Sequence, residues 1–306
     1  MKKACILTVF SLLFVIVLPS YIYPQQSRND KAPLEVSSLM LGNGGQEDLY
    51  FIFINGLDCK CDGTRYNDMG FEVIRRNMAR AGFTFTDNRF LLYSYTGGKV
   101  ERGRWYPNKY ESKDTGQPLQ ISVKNLELLV REYSSSHPKA SFILIGHSLG
   151  GRIAMDFVSS TSEEMRKKIG GVVTLNSPLS GASFKVPEMI MEVFSKIDFI
   201  LSSPAVRYLI WESKNLEENT YKRRKSIEEL QKGGLRVATF ATNQDMVVHA
   251  QGSCILDETG KPVSEGYILN VNRLPAKHFV GHMQILKHEE VSMYLVNLYI
   301  ESILKK

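Results

Sequence analysis

Short apolar runs alternate with stretches in which apolar side chains recur every three or four residues along most of this chain. The short runs predict buried strands, and the stretches with helical spacing predict amphipathic helices. The runs lie at 49–54, 89–93, 141–145, 235–240 and 267–271. Strands that alternate with helices are typical of a parallel sheet with both faces covered. The pattern therefore predicts an α/β fold with a mostly parallel, doubly wound sheet.

The junction after the run 141–145 has the sequence Gly-His-Ser-Leu-Gly at 146–150, and beyond it apolar residues recur at helical spacing. A serine on so abrupt a strand-to-helix turn holds its hydroxyl exposed. The glycines on either side leave room for the neighbouring strand and helix, which an ordinary helix cap would not need. Ser148 is therefore the candidate nucleophile, and His147 is expected to pack as a structural residue.

A catalytic serine needs a general base and a carboxylate that orients the base. Asp245 lies in a loop just after the run 235–240, at the carboxyl end of a predicted strand. Open α/β sheets bind their ligands at that end of the strands. His282 lies in the loop between the last predicted strand, 267–271, and the final helix. We therefore predict Asp245 as the orienting acid and His282 as the general base.

Other histidines and aspartates compete for these two roles. His278 lies four residues before the favoured base and could instead support the site indirectly. His288 falls at the start of the last predicted helix, where a solvated histidine is common. Asp257, the nearest rival acid, lies in a sequence typical of a plain hairpin turn. Asp198 lies inside an apolar stretch with helical spacing.

Four pieces of this sequence together resemble the α/β-hydrolase family, and within it the lipase-like serine hydrolases. They are 146–151, Thr-Leu-Asn-Ser-Pro at 174–178, 243–248 and 281–282. The resemblance extends over residues 46–306, much of 183–232 excepted. Members of this fold carry the three catalytic groups in the order serine, acid, histidine. The resemblance implies an α/β-hydrolase fold with a helical cap, in which Ser148, Asp245 and His282 are nucleophile, acid and base.

The resemblance also implies an oxyanion hole made of two backbone N–H groups, one after the nucleophile and one from an early loop. Leu149 and Leu57 are the expected donors. Family members commonly have His-Gly in the early loop, whereas this chain has Asn55 and Gly56. Backbone N–H donors do not depend on the side chain at position 55, so Leu57 and Leu149 are still the predicted donors. Asn55 leaves the hydrogen bonding of this loop and the class of substrate unassigned at the level of sequence.

The amino terminus has the pattern of an export signal. Lys2 and Lys3 precede an apolar stretch from 4 to 23, which is also long enough to span a bilayer. We predict a signal peptide or an amino-terminal membrane anchor at 1–24, with a core helix as the remaining alternative. A polar linker at 25–45 then leads to the hydrolase domain at 46–306. The domain is expected outside the cytoplasm, either anchored or secreted.

Two segments are expected to shape the substrate site. Residues 182–232 interrupt the core between two predicted strands and carry two apolar stretches with helical spacing. Apolar surface of this extent must be buried or meet a lipid-like substrate, so the segment is either a lid or simple packing on the core. The long loop at 95–118 is rich in glycine and aromatic residues. It either lines the acyl pocket or packs on the surface.

Charge and composition exclude some classes of function. The chain has 306 residues, 43% hydrophobic and 23% charged, which is typical of a globular protein. The net charge is +6, with basic runs at 166–168 and 221–225. Such runs are solvated helix faces or contacts for anionic lipid. Nucleic-acid binding is not expected, because no recognition motif accompanies the charge.

The cysteines and acidic residues do not predict a cofactor site. Cys59, Cys61 and Cys254 lie in the expected domain, and an oxidising compartment would permit one disulfide from Cys254 to either of the others. No histidines stand at metal-ligand spacing from these cysteines. The carboxylates at 58 and 62 are typical of a polar surface loop. We expect neither a metal ion nor an organic cofactor.

The expected function is a serine hydrolase that cleaves carboxylic esters, lipid-like esters above all, through an acyl-enzyme. The same three residues would also serve a thioesterase or an acyltransferase. An inactive relative that binds lipid or a partner in an apolar cleft is the alternative from another class.

Overall fold

The computed structural model describes residues 49–64, 67, 70–181, 202–245, 247–271 and 280–304, all of which belong to one compact unit. The strands are β1 (Leu49–Ile54), β2 (Phe90–Leu92), β3 (Gly98–Glu101), β4 (Arg104–Pro107), β5 (Ser141–His147), β6 (Ile169–Leu175), β7 (Arg236–Thr242) and β8 (Ile268–Leu269). The α-helices are α1 (Glu72–Asn77), α2 (Leu119–Ser136), α3 (Leu149–Ser160), α4 (Glu163–Arg166), α5 (Pro204–Ser213), α6 (Leu216–Lys232), α7 (Ala250–Ser253), α8 (Val280–Gln284) and α9 (Glu289–Leu304). Short 3-10 helices occur at Met78–Ala81, Ser112–Gly116 and Ile285–Lys287.

Six of these strands form one parallel sheet in the order β2-β1-β5-β6-β7-β8. Strands β1 and β5 are apolar and almost wholly buried because helices cover both faces of the sheet. The predicted α/β-hydrolase fold, with a mostly parallel sheet, is confirmed.

The chain order changes direction between β1 and β5. From β1 the chain moves outward to β2 and then crosses back to place β5 on the other side of β1. The loops after these two neighbouring strands therefore leave in opposite directions, which opens a crevice at the carboxyl edge of the sheet. Ile54, the last residue of β1, pairs with Gly146 near the end of β5. The loop after β1 and the loop after β5 therefore begin at the same level along the strands.

The aromatic loop at 95–118 is more ordered than the sequence indicates. It contains the antiparallel hairpin β3–β4 and one of the short 3-10 helices. Trp105 in β4 is buried, and its indole N–H donates to the Leu92 carbonyl at 2.9 Å. Much of the segment is therefore packed against the sheet edge.

The predicted cap at 182–232 is described from residue 202 onward, where it consists of helices α5 and α6. Ala205, Val206 and Leu209 of α5 are buried, which accounts for part of its apolar pattern. Trp211 is 58% exposed. The first part of the predicted cap, which includes Asp198, lies outside the described residues.

The predicted leader at 1–24 and linker at 25–45 also lie outside the described residues. Within the described ranges no helix is both long enough and apolar enough to cross a membrane.

The disulfide that the sequence permits, from Cys254 to Cys59 or Cys61, is not formed, because all three cysteines are free thiols. Cys254 is buried beside β7, where its sulfur accepts a hydrogen bond from the Thr239 hydroxyl at 3.7 Å. Cys61 instead pairs through its backbone with Tyr110. Burial raises the pKa of the Cys254 thiol to about 11 and that of Cys59 to about 12, so both stay protonated at neutral pH.

Candidate active site

The turn between β5 and α3 holds Ser148 in a strained backbone conformation, with φ of 54° and ψ of −127°. Two glycines make the turn possible by allowing close backbone contacts. A Cβ atom on Gly146 would lie 2.3 Å from the Gly151 Cα, and one on Gly150 would lie 2.1 Å from the Ile54 carbonyl oxygen. The sequence Gly-x-Ser-x-Gly is therefore explained by sterics at this junction.

The loop after β1 lies directly against Ser148. A Cβ atom on Gly56 would lie 2.6 Å from the Ser148 Cβ and 3.0 Å from its Oγ. The Asn55 side-chain oxygen accepts the Gly56 N–H at 2.7 Å, and the buried Tyr95 hydroxyl donates to the Asn55 carbonyl at 2.8 Å. These bonds fix the shape of the loop, and the Asn55 side chain supplies one of them.

The N–H groups of Leu57 and Leu149 lie next to this turn. Leu149 is the first residue of α3, so its N–H has no acceptor inside the helix. For Leu57, no hydrogen bond of the N–H group occurs within the described part of the chain. Both groups are therefore available as donors, as an oxyanion hole requires.

The structure brings Asp245 and His282 together. The His282 Nδ1 lies 2.6 Å from the Asp245 Oδ2, and both side chains are largely buried. The other carboxylate oxygen of Asp245 accepts the N–H groups of Val247 and Val248 at 2.7 Å and 3.0 Å. With Nδ1–H donated to the carboxylate, the Nε2 atom of His282 carries the lone pair that a general base needs.

The competing residues have other surroundings. Asp257 lies in the predicted turn, where its Oδ1 accepts the N–H groups of Thr259 and Lys261 at 2.8 Å and 2.9 Å. His288 precedes α9, and its Nδ1 accepts the Glu290 N–H at 3.3 Å. His278 lies outside the described residues.

Sequence reasoning did not assign a role in the site to Asn176, Thr242 or the ring of His147. Asn176 follows β6 in a left-handed conformation, with φ of 46°, and contacts Thr242 and the backbone at His282. The His147 Nε2 lies 2.8 Å from the His282 carbonyl oxygen. Burial lowers the pKa of His147 to about 3, so this ring is neutral at ordinary pH. The Thr-Leu-Asn-Ser-Pro sequence was the only signal for Asn176.

Among the described residues no three histidine, cysteine, aspartate or glutamate side chains are grouped closely enough to hold a metal ion.

Comparison with known proteins agrees with the fold. The family described as PGAP1-like alpha/beta domain matches residues 108–253, which include the Ser148 turn, α5, α6 and Asp245. The resemblance to the α/β-hydrolases is confirmed. Among curated proteins no sequence matches this chain significantly.

Several solved structures are similar to this chain at low sequence identity. A lipase-esterase related protein from Clostridium acetobutylicum is 12% identical, with 83% of this chain and 95% of that chain covered and a TM-score of 0.46. Lipase BlEst2 from Bacillus licheniformis is 13% identical, with 81% and 91% covered and a TM-score of 0.49. A monoacylglycerol lipase from Paleococcus ferrophilus is 15% identical, with 83% and 96% covered and a TM-score of 0.43.

Proposed function

We propose that this protein is a serine hydrolase that cleaves carboxylic esters, with lipid-like esters as the favoured substrates. The observation that carries the proposal is the 2.6 Å contact between the His282 Nδ1 and the Asp245 carboxylate. It lies at the edge of the sheet where the strained turn presents Ser148. The ring of His147, the residue before Ser148, lies 4.8 Å from the ring of His282 between centroids, and no hydrogen bond joins Ser148 to His282 among the described residues. An imidazole that a carboxylate orients activates a serine hydroxyl when the two come within hydrogen-bond reach.

In the proposed mechanism, Ser148 attacks the ester carbonyl carbon while the Nε2 of His282 takes the hydroxyl proton. Asp245 holds the ring in the required tautomer and stabilises the imidazolium as it forms. The N–H groups of Leu57 and Leu149 stabilise the tetrahedral oxyanion, and each such donor typically contributes about 3–4 kcal/mol. His282 then returns the proton to the departing alcohol. Water, activated by the same ring, releases the acid from the acyl-enzyme.

The exposed side chains of the cap helices support a lipid-like substrate. Tyr208 and Trp211 of α5 are 37% and 58% exposed, and Leu216 and Tyr221 of α6 are 47% and 51% exposed. Tyr208 and Trp211 lie side by side, with ring centroids 5.9 Å apart. Exposed apolar side chains that are grouped are typical of proteins that contact lipid or a partner. Lys222 and Lys225 of the basic run are exposed on α6 and would favour an anionic surface.

A fluorophosphonate probe tests the proposal, because it phosphonylates only an activated serine. We expect the folded wild type to be labelled and to hydrolyse p-nitrophenyl esters, with the decanoate preferred over the acetate. Ser148→Ala should abolish both activities. Ser135→Ala changes an exposed serine on α2 and is the matched control, so its labelling should equal that of the wild type.

Two results would count against the proposal. A folded wild type that is neither labelled nor active on any ester would favour a binding protein. Strong preference for the acetate would retain the serine hydrolase but exclude lipid-like esters.

A further inference from the structure

The main-chain carbonyl of His282 receives hydrogen bonds from two buried side chains at the ends of neighbouring strands. The Asn176 Nδ2 lies 3.2 Å from this oxygen and 3.1 Å from the Gly281 carbonyl oxygen. The His147 Nε2 lies 2.8 Å from the same His282 oxygen. His147 ends β5, and Asn176 directly follows β6. Hydrogen bonds from side chains at the edge of the sheet therefore hold the backbone at His282, the proposed base.

The orientation of the Asn176 amide is fixed by a third contact. Its Oδ1 accepts the Thr242 N–H at 2.7 Å, so this end of the amide must be the oxygen. The Nδ2 end must then donate its two hydrogens among three acceptors, which are the Thr242 hydroxyl oxygen at 3.1 Å and the carbonyl oxygens of Gly281 and His282 at 3.1 Å and 3.2 Å. Asn176 thus links the ends of β6 and β7 with the helix of the base, and it is fully buried.

The carbonyl of His282 needs such donors because of where it lies. Helix α8 has five residues, Val280–Gln284, so its last carbonyl groups have no partner within the helix. Side chains from the sheet supply the missing donors. The neutral His147 ring offers one N–H, and the Asn176 amide offers the other.

These contacts give the proposed base two separate anchors. Asp245 holds the Nδ1 atom of the His282 ring, while Asn176 and His147 hold the main-chain oxygen of the same residue. Together the two anchors set where Nε2 lies relative to Ser148. A displacement of about 1 Å in a reacting group can cost about 100-fold in rate.

We propose that Asn176 is a positioning residue for the general base, acting through the main-chain carbonyl of His282. This inference rests on the proposed function, since it concerns the efficiency of the same proton transfer. Asn176 touches neither the ester nor the serine in this proposal. Its contribution is to hold the imidazole at the distance and angle that Ser148 requires.

Two substitutions distinguish the effect of losing the Asn176 amide donor from the effect of changing the backbone conformation at this position. Asn176→Asp keeps an acceptor for the Thr242 N–H but turns a carboxylate oxygen toward the two carbonyl oxygens. Asn176→Gly keeps the left-handed backbone without strain and removes the amide. We expect kcat per competent active site to fall at least tenfold in both variants, with KM within twofold of the wild type. Competent sites are counted by labelling to completion with the fluorophosphonate.

The count of competent sites distinguishes positioning from folding. A purely structural role would reduce the number of labelled molecules and leave kcat per labelled molecule unchanged, which would overturn the inference. Asn108→Asp is the matched control, because Asn108 is an exposed asparagine whose amide donates to the Thr96 carbonyl at 2.9 Å. Its kcat should equal that of the wild type.

The outcomes also separate this inference from the proposed function. If the wild type turns over esters and both Asn176 variants match it per competent site, the inference alone is wrong. If the wild type neither reacts with the probe nor hydrolyses an ester, the proposed function is wrong and the inference is wrong with it.

Discussion

Asp245 and Asp257 both accept backbone N–H groups, but only Asp245 contacts a histidine. In Asp245→Asn, the amide oxygen would keep the bonds to Val247 and Val248, and the NH2 group would face the Nδ1 of His282. The ring would then carry its proton on Nε2 and could not accept one from Ser148. We expect kcat on a p-nitrophenyl ester to fall by about four orders of magnitude.

Asp257→Asn is the control for this substitution, because its side chain only closes a turn. It should leave kcat within a factor of two. Equal losses in the two variants, or full activity in Asp245→Asn, would show that another carboxylate orients the base.

His147 makes the stability of the fold depend on pH on the acid side. Its pKa is lowered from 6.5 to about 3 by burial, with a further contribution from the nearby His282. Between these values only the unfolded chain takes up the proton, so the stability is full above pH 6.5 and falls as the pH decreases toward 3. The slope from one such group approaches about 1.4 kcal/mol per pH unit.

His147→Gln keeps a donor of similar reach but cannot be protonated. We expect its free energy of unfolding, measured by urea denaturation at pH 7, 6, 5 and 4, to fall less steeply than that of the wild type. Other groups contribute the same background slope to both proteins. Identical slopes would mean that His147 is protonated in the folded state or is not buried.

The candidate residues were predictable to different degrees. Ser148 was predicted from its glycines, and Asp245 and His282 from their places after predicted strands. Asn176 and His147 were not assigned to the site, because their contacts are with a main-chain oxygen more than 100 residues away. No pattern of side-chain types reveals a bond to the backbone of a distant segment.

At the level of elements, the apolar runs predicted the sheet well where both faces are buried. The runs at 49–54 and 141–145 correspond to β1 and most of β5. The run at 267–271 forms only the two-residue strand β8 at the sheet edge, where one neighbour is missing. The hairpin β3–β4 was missed because its turn has Arg102 with positive φ in place of the usual Asn-Gly.

The cap helices are joined to the core by buried ion pairs. Arg152 of α3 lies between two carboxylates, with Nε 2.8 Å from the Asp156 Oδ2 and Nη2 2.8 Å from the Glu212 Oε1 of α5. Arg223 of α6 also contacts Asp156, at 2.8 Å. Arg152 is only 3% exposed, so these charges are largely shielded from water. Arg152 therefore joins α3 to α5 through Glu212, and Asp156 joins α3 to α6 through Arg223.

Arg152→Met should leave Glu212 buried without its partner. Removal of one member of a buried pair typically costs about 3–5 kcal/mol. We expect a loss of that size in the free energy of unfolding, measured by chemical denaturation. Arg152→Met combined with Glu212→Met should recover part of it.

Lys167→Met is the control. Lys167, which directly follows α4, forms an exposed ion pair with Glu163 at the start of that helix. Its denaturation midpoint should match that of the wild type. If Arg152→Met behaves like this control, the buried pairs do not hold the cap helices.

At the scale of the whole molecule, the α/β-hydrolase fold of the domain was predictable because alternating strands and helices leave few ways to cover a parallel sheet. The leader at 1–24 and the extracytoplasmic location stay predictions, based on the two lysines and the apolar stretch that follows. The lid role of 182–232 also stays a prediction. Side-chain pattern alone does not distinguish a segment that packs from one that opens.

The contact between Gly56 and Ser148 has a consequence for how this protein can vary. A methyl group at position 56 would overlap the side chain of Ser148, the proposed nucleophile. A neighbouring loop, and not only the catalytic side chains, thus sets whether the hydroxyl has room to react. Under the proposed function, Gly56→Ala would add one carbon atom beside Ser148 and leave a folded protein that binds its ligand without cleaving it.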